Sequence, residues 1–178
     1  MPRSSDPDGE RVQCAACGRA VVPESSQQVD EQWLCRPCLH GAVEPIAFWP
    51  IGVVDNDRER TDAGFGATGS EVSRIRLAPG QRRFLAGIED ESHLTIVWHC
   101  HRARPIRTLF ARGWDGKRVG PYASRTPDRP NAIAVTEVTL LEVRDEVLVV
   151  RGLDAIDGTP VLDIKVGMDS LRRGRDAG

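Results

Sequence analysis

The sequence predicts a mainly β protein: a compact β-barrel-like domain with one or two short helices, preceded by a small N-terminal zinc ribbon. Three observations predict it. Beyond residue 49 the chain divides into short β-branched runs separated by Gly, Pro, Asp and Asn, a pattern of many short strands. One run, 93–101, alternates without a break: Leu94, Ile96, Trp98 and Cys100 point one way, and His93, Thr95, Val97, His99 and His101 the other. Four of the five cysteines form two Cys-x2-Cys pairs near the start.

The composition fits this frame. Of 178 residues, 40% are apolar and 28% charged, enough for one main core and a small satellite. No apolar run approaches the roughly 18 residues of a membrane helix. The opening residues lack the apolar stretch of a secretory signal, so a cytoplasmic protein without a membrane partner is expected. Residues 1–11 are expected to form a disordered tail, 12–42 the cysteine unit, 46–169 the barrel domain and 170–178 a flexible tail, with Val43–Pro50 as connector. Within the domain, Trp49–Val54, Val72–Leu77, His93–His101, Ile133–Val143, Val147–Leu153 and Val161–Val166 read as strands. Arg144-Asp145-Glu146 reads as a hairpin turn, and Gln81–Ile88 as a helical turn with Phe84, Leu85 and Ile88 on one side.

The cysteines are spaced Cys14-x2-Cys17-x17-Cys35-x2-Cys38, which fits two knuckles that present four thiolates to one tetrahedral ion. A structural Zn2+ is the first expectation; iron and redox chemistry are the alternatives. Thiolates ligate only when deprotonated, and a unit of this size has too little core to fold alone, so metal binding and folding should be coupled. His40 lies two residues past Cys38 and is expected beside the site rather than in it. His99 and His101 have a spacing compatible with a second metal, but His93 lies about 20 Å from His99 along a strand. His101 is better read as the polar lining of a small-molecule pocket, and His93 as a structural group.

Net charge is −2, but it is unevenly placed: Arg102 to Arg129 holds eight basic and two acidic residues. Arginine supplies 22 of the 24 cations. Its planar fork suits phosphate and carboxylate, although a GC-rich genome would produce the same bias. The segment Gly120-Pro-Tyr-Ala-Ser-Arg-Thr-Pro-Asp-Arg-Pro-Asn-Ala-Ile133 is a loop stiffened by Pro127 and Pro130 that presents Arg125, Arg129 and Asn131. The segment Gly152-Leu-Asp-Ala-Ile-Asp-Gly-Thr-Pro-Val-Leu-Asp-Ile-Lys165 contains a tight Asp157-Gly158 turn. Its carbonyls and carboxylate suit an adenine or ribose edge.

These two segments, together with Pro50-Ile-Gly-Val-Val54 and Leu85-Ala-Gly-Ile-Glu-Asp-Glu-Ser-His-Leu94, closely resemble the four ordered motifs of the TsaA-like family, also called the TrmO-like tRNA methyltransferases. The resemblance spans about residues 46–166. It implies a compact β-barrel-like fold, S-adenosylmethionine as cofactor, a homodimer, and methylation of the exocyclic nitrogen of threonylcarbamoyladenosine at tRNA position 37. Carried over by motif, cofactor contacts fall on His101, Arg102, Arg125, Val135, Asp157, Gly158, Thr159 and Pro160. His101 or Asp163 would serve as base. Arg129, Asn131, Lys117 and Arg118 would meet phosphates of the anticodon stem-loop, and Trp114 or Tyr122 would stack on a splayed base.

The sequence departs from the family pattern in three places. A Pro and a Gly of the arginine motif are replaced by Ala132 and Ala134, a Pro-Tyr pair is replaced by Val166-Gly167, and the Gly-rich loop Thr61–Ser70 lacks a Pro-Arg-Gln triplet. Two other functions fit the same motifs: a methyltransferase with another acceptor (other RNA, protein or small molecule), and a zinc-containing, cofactor-binding regulatory module without turnover.

Overall fold

The computed structural model describes residues 10–59 and 71–168. The loop Thr61–Ser70, the C-terminal tail and most of the N-terminal tail lie outside the described residues. In chain order the strands are β1 (Val12–Gln13), β2 (Ala20–Val21), β3 (Ser26–Val29), β4 (Gln32–Cys35), β5 (Gly52–Asp55), β6 (Val72–Leu77), β7 (His93–His99), β8 (Phe110–Ala111), β9 (Arg118–Val119), β10 (Ile133–Arg144), β11 (Val147–Arg151) and β12 (Pro160–Val166). One short α-helix, α1 (Arg36–His40), follows β4. The expected helical turn is two 3-10 turns, Gln81–Phe84 and Ile88–Asp90, broken at Gly87, which has φ +81°. Phe84 is exposed, yet it borders the same cleft as Leu85 and Ile88, the shared side expected of the three.

Contacts divide the described chain into two units. One is the cysteine unit through Ile46 together with Ala103–Arg112 and Gly116–Asn131. The other is the barrel.

The barrel is closed and antiparallel in the order β10-β11-β6-β5-β12-β7, so no sheet edge is left open. The alternation in β7 becomes an inside and an outside. Leu94, Ile96 and Trp98 are buried, while His93, Thr95, Val97 and His99 are half-buried. Ile75, Leu148, Val150, Val54, Val138 and Val161 fill the same interior from the other strands. Each such side chain contributes about 1.5–3 kcal/mol by leaving water. β10 serves two partners: Ile133–Thr139 pair with β7, and Thr139–Arg144 pair with β11 across a bulge near Leu140. The β10–β11 hairpin turns at Asp145 (φ +51°) and Glu146, as the sequence predicts.

A second bulge has more consequence for function. In β12, Val161 pairs with Trp98 but Asp163 pairs with Val97. Plain alternation would put Asp163 inside with the fully buried Val161. The extra residue turns its carboxylate outward.

Gly52 explains why the first motif needs glycine. It pairs with Leu77 and Val161, and a Cβ there would lie 2.5 Å from the Arg76 carbonyl oxygen. That oxygen belongs to the backbone and cannot move aside without parting β5 from β6. Gly52→Ala should therefore cost about 1–3 kcal/mol of stability, whereas Val53→Ala, at a half-exposed position next to it, should cost far less. Urea unfolding of both variants checks this; equal midpoints would show that β5 and β6 have room to spare.

Candidate functional site

Within the barrel, the Asp157–Pro160 turn is held by a hydrogen-bonded knot. Gly158 N–H donates to Val54 O at 2.9 Å, and Val54 N–H donates to Thr159 O at 2.9 Å. Asp157 N–H donates to Arg58 O, and the Asp157 carboxylate accepts the Asn56 N–H at 3.1 Å. The Asn56 side-chain amide in turn bonds Ser73 Oγ at 2.9 Å and Ala155 O at 3.0 Å. Arg58 is paired with Glu71 and, at 3.5 Å, with Asp154. None of Asn56, Ser73 or Arg58 stands out in the sequence, because the pairings join residues up to 101 positions apart. The outcome is a rigid turn with Asp157 and Gly158 exposed and Thr159 buried. Gly158, at φ +72°, faces open space.

His101 sits in the turn that follows β7, with its Nδ1 3.4 Å from the hydroxyl oxygen of Thr159. Two predicted site residues, His101 and Thr159, are thus brought together. Burial first, then the charge of Arg102 and the neighbouring His99, holds the His101 imidazole below its ordinary value, with Asp157 opposing. Its neutral form is favoured, which suits a proton acceptor.

Asp163 is placed elsewhere on the barrel. Its partner Val97 lies four residues before His101, roughly 13 Å at a strand's rise. The carboxylate pairs with Lys165 Nζ at 2.6 Å and borders an apolar cleft of about 280 Å³ lined by Ile51, Leu77, Phe84, Leu85 and Ile88. Val135 shares this outer face, opposite Val97 and half exposed. Arg102 is exposed beside His101. At the far end of β7, His93 accepts or donates a hydrogen bond with Ser92 Oγ at 3.0 Å, as befits a structural group.

In the other unit, the arginine loop holds itself together with its own cations. Arg129 donates from Nη2 to Pro121 O and Ser124 O, both at 2.9 Å, and from Nε to Thr126 O at 3.0 Å. Arg104 forks onto the Asp128 carboxylate, and Arg112 bonds Ala123 O at 3.0 Å. Arg129 is therefore a brace for the loop, a role that its motif position did not reveal. Arg125, Asn131, Lys117 and Arg118 are exposed, as is Tyr122. Among the described residues Arg125 makes no hydrogen bond or ion pair. Trp114 is half exposed and belongs to the barrel unit.

The four paired cysteines converge: their sulfurs all lie within 4.8 Å of one another. A tetrahedral ion with bonds of about 2.3 Å needs neighbouring sulfurs about 3.8 Å apart. Cys17 and Cys35 are at 3.9 Å. Gly18, at φ +70°, closes the first knuckle by donating to Cys14 O, and Cys38 comes from α1. The Cys35 N–H, 3.4 Å from Cys14 Sγ, is the main cause that pulls the Cys14 thiol down to about 6. Arg19, 3.3 Å from Cys17 Sγ, lowers Cys17. Hydrogen bonds with Cys35 and Cys17 push Cys38 up to about 12. Four sulfurs this close cannot all ionise without a cation among them, so the cluster suits a divalent ion. His40 is exposed and outside the cluster. Arg19 was not anticipated; a cation two residues past a knuckle cysteine is the signal that marks it.

The depressed His101 imidazole has a measurable consequence. The unfolded chain takes up that proton first, so stability is lost as pH falls through the ordinary histidine value of 6.5. Unfolding free energy should drop more steeply between pH 7 and pH 5.5 in the wild type than in His101→Gln. Parallel curves for the two proteins would show that His101 is not desolvated.

Known proteins share this sequence pattern and this fold. Residues 64–170 match the tRNA-methyltransferase O N-terminal domain family. A probable S-adenosyl-L-methionine-binding protein of Methanothermobacter thermautotrophicus is 41% identical over 123 residues, 67% of this chain and 88% of that protein. The human tRNA (adenine(37)-N6)-methyltransferase is 34% identical over 95 residues, 52% of this chain but 22% of that enzyme. The crystal structure of TrmO from Pseudomonas aeruginosa superposes with a TM-score of 0.57 at 27% identity, covering 72% of this chain and 58% of that one. This chain thus spans less than two thirds of the solved TrmO chain. With the barrel, the four motifs and the family match in agreement, the chain belongs to the tRNA-methyltransferase O N-terminal domain family.

Proposed function

We propose that this chain is an S-adenosylmethionine-dependent methyltransferase whose acceptor is the exocyclic nitrogen of a tRNA adenosine, threonylcarbamoyladenosine at position 37 being the preferred form. The observation that carries the reading is the rigid Asp157–Pro160 turn with the His101 imidazole set against Thr159. S-adenosylmethionine supplies an electrophilic methyl group when bound. Asp157 would hold the ribose or adenine edge, and the open space over Gly158 leaves room for it. A neutral His101 avoids repulsion with a sulfonium and can accept the proton that the acceptor nitrogen loses. Asp163, ion-paired with Lys165, is the second candidate base. Arg125, without a protein partner among the described residues, would bind the methionine carboxylate or a tRNA phosphate. Lys117, Arg118 and Asn131 extend that surface, and Tyr122 offers a ring for stacking. Most of the acceleration would come from positioning, since a sulfonium needs little activation.

The same reading makes the protein a cytoplasmic homodimer. No helix among the described residues is long and apolar enough to cross a membrane. Cys14, Cys17, Cys35 and Cys38 would hold Zn2+ with no open position, a structural rather than catalytic ion. The alternative of a cofactor-binding module without turnover draws on Arg129, whose guanidinium is committed to the loop's carbonyls.

Two measurements test this. Calorimetry should give micromolar S-adenosylmethionine binding, weakened about tenfold or more by Arg125→Ala, the loss of a charge-assisted hydrogen bond. Labelled methyl should appear in tRNA. Binding without transfer to any RNA would favour the module reading; no binding at all would remove the donor site. Separately, metal analysis should find a single zinc ion per chain in the wild type and none in Cys17→Ser. Full zinc in that variant would place the ion elsewhere.

A further inference from the structure

We propose that the cysteine unit is the positioning device for the arginine loop, so that metal occupancy decides whether the loop is ordered and able to meet a polyanion. This rests on the tetrathiolate reading given above.

Both ends of the loop are tied to a single strand of the cysteine unit. Near the loop's start, Ile106 pairs with Val29 of β3 in a parallel bridge. Ile106 N–H donates to Gln28 O at 2.9 Å, and Asp30 N–H donates to Ile106 O at 2.8 Å. The Asp30 carboxylate then accepts both the Thr108 N–H, at 2.9 Å, and the Thr108 hydroxyl. Near the loop's end, the Gln27 side chain donates to Pro130 O at 3.3 Å. Asp30 and Glu31 form the two-residue turn between β3 and β4, both with positive φ, a type I′ hairpin turn that aims the Asp30 carboxylate.

The metal matters because this unit has almost no other core. Its buried apolar residues among those described are Cys14, Cys35, Val29 and the loop's own Ile106. Two of the four are ligands. β4 ends on Cys35, and Ala15, beside Cys14, donates to Trp33 O at 2.8 Å. Hairpin β3–β4 is thus anchored at the thiolate cluster, and the loop is anchored at the hairpin. Without the ion, four clustered thiols, the Val29–Ile106 contact and a few half-buried side chains such as Trp33 and Leu34 are left to offset the ordering entropy of the whole unit, too small a core for a unit of this size. The binding free energy of the metal is folding free energy for the hairpin and, through Ile106, Thr108 and Pro130, for the loop that carries Arg125.

Amide hydrogen exchange on the full chain tests this, before and after zinc removal with a chelator under reducing conditions. Peptides from 12–40 and from 103–131 should lose protection together, while β7 and β11 keep theirs. Loss confined to 12–40 would overturn the link and leave the metal site standing. Protection of 12–40 in protein shown to hold no zinc would overturn both. Asp30→Gly is the second arm, since glycine keeps the positive-φ turn and removes only the carboxylate. It should retain zinc yet lose protection around Thr108; unchanged exchange there would also sink the proposal. Filter binding of bulk tRNA should weaken in chelated protein and in Asp30→Gly alike. If untreated protein binds no tRNA, the RNA reading fails while the exchange data still decide the link.

Discussion

Closure of the barrel is the constraint on which the rest depends, and β7, hydrogen-bonded to β10 on one edge and β12 on the other, is the strand that carries closure to the site. Remove it and the sheet opens, with two unpaired edges. Its alternation also sets the division of labour. Leu94, Ile96 and Trp98 seal the interior, and Trp98 still satisfies its indole N–H by donating to Thr136 at 3.1 Å. At the strand's end Cys100 N–H reaches Ala132 O, and the next residue is His101, delivered to Thr159 as the chain turns away. The candidate site is therefore a consequence of barrel closure: the strand that completes the wall carries the imidazole to the turn before β12.

How far the sequence reaches can be judged from particular residues. β6 and β7 were legible because one face of each is wet and the other dry, so a period of two is written in the residues themselves. The Asp157–Pro160 turn was legible because Asp-Gly followed by Thr-Pro restricts the backbone locally. Asp163 was not, since its outward direction comes from a bulge defined by the partner strand. Nor was the network of Asn56, Ser73 and Ala155, whose members are ordinary residues joined only by folding. The convergence of the four paired cysteines was legible from spacing, yet the attachment of residues 103–131 to the cysteine unit was hidden. It runs through backbone groups of Ile106 and Gln28, and backbone pairing leaves no signature in composition.

The arginine loop shows why a charge count overstates a binding surface. Eight cations lie between Arg102 and Arg129, but three guanidiniums (Arg104, Arg112 and Arg129) bond the loop's own carboxylate or carbonyls. Those three give the loop shape, and the exposed remainder gives it charge. The division would suit a surface that meets a polyanion: stiff loops lose less entropy on binding, and a guanidinium not bonded within the loop keeps its planar fork for a phosphate.

The departures from the family pattern fit the same logic when each is placed on the backbone. Where the pattern has proline, Ala132 adopts φ +49°, which a proline ring fixed near −65° cannot reach. The left-handed turn at Ala132 directs its carbonyl to Cys100 N–H at 2.7 Å and starts β10 in register with β7. Where the pattern has tyrosine, Gly167 donates to His93 O at 2.8 Å, and a Cβ there would meet the His93 Cβ at 2.6 Å. A tyrosine at 167 would need β12 to leave β7 sooner. Both departures are thus matched by local backbone paths that the pattern's proline and tyrosine would not fit, and they lie at the two ends of β7. The barrel has accommodated its own sequence at the strand on which its closure depends, while the turn at Asp157 that the proposed chemistry needs keeps the family residues unchanged.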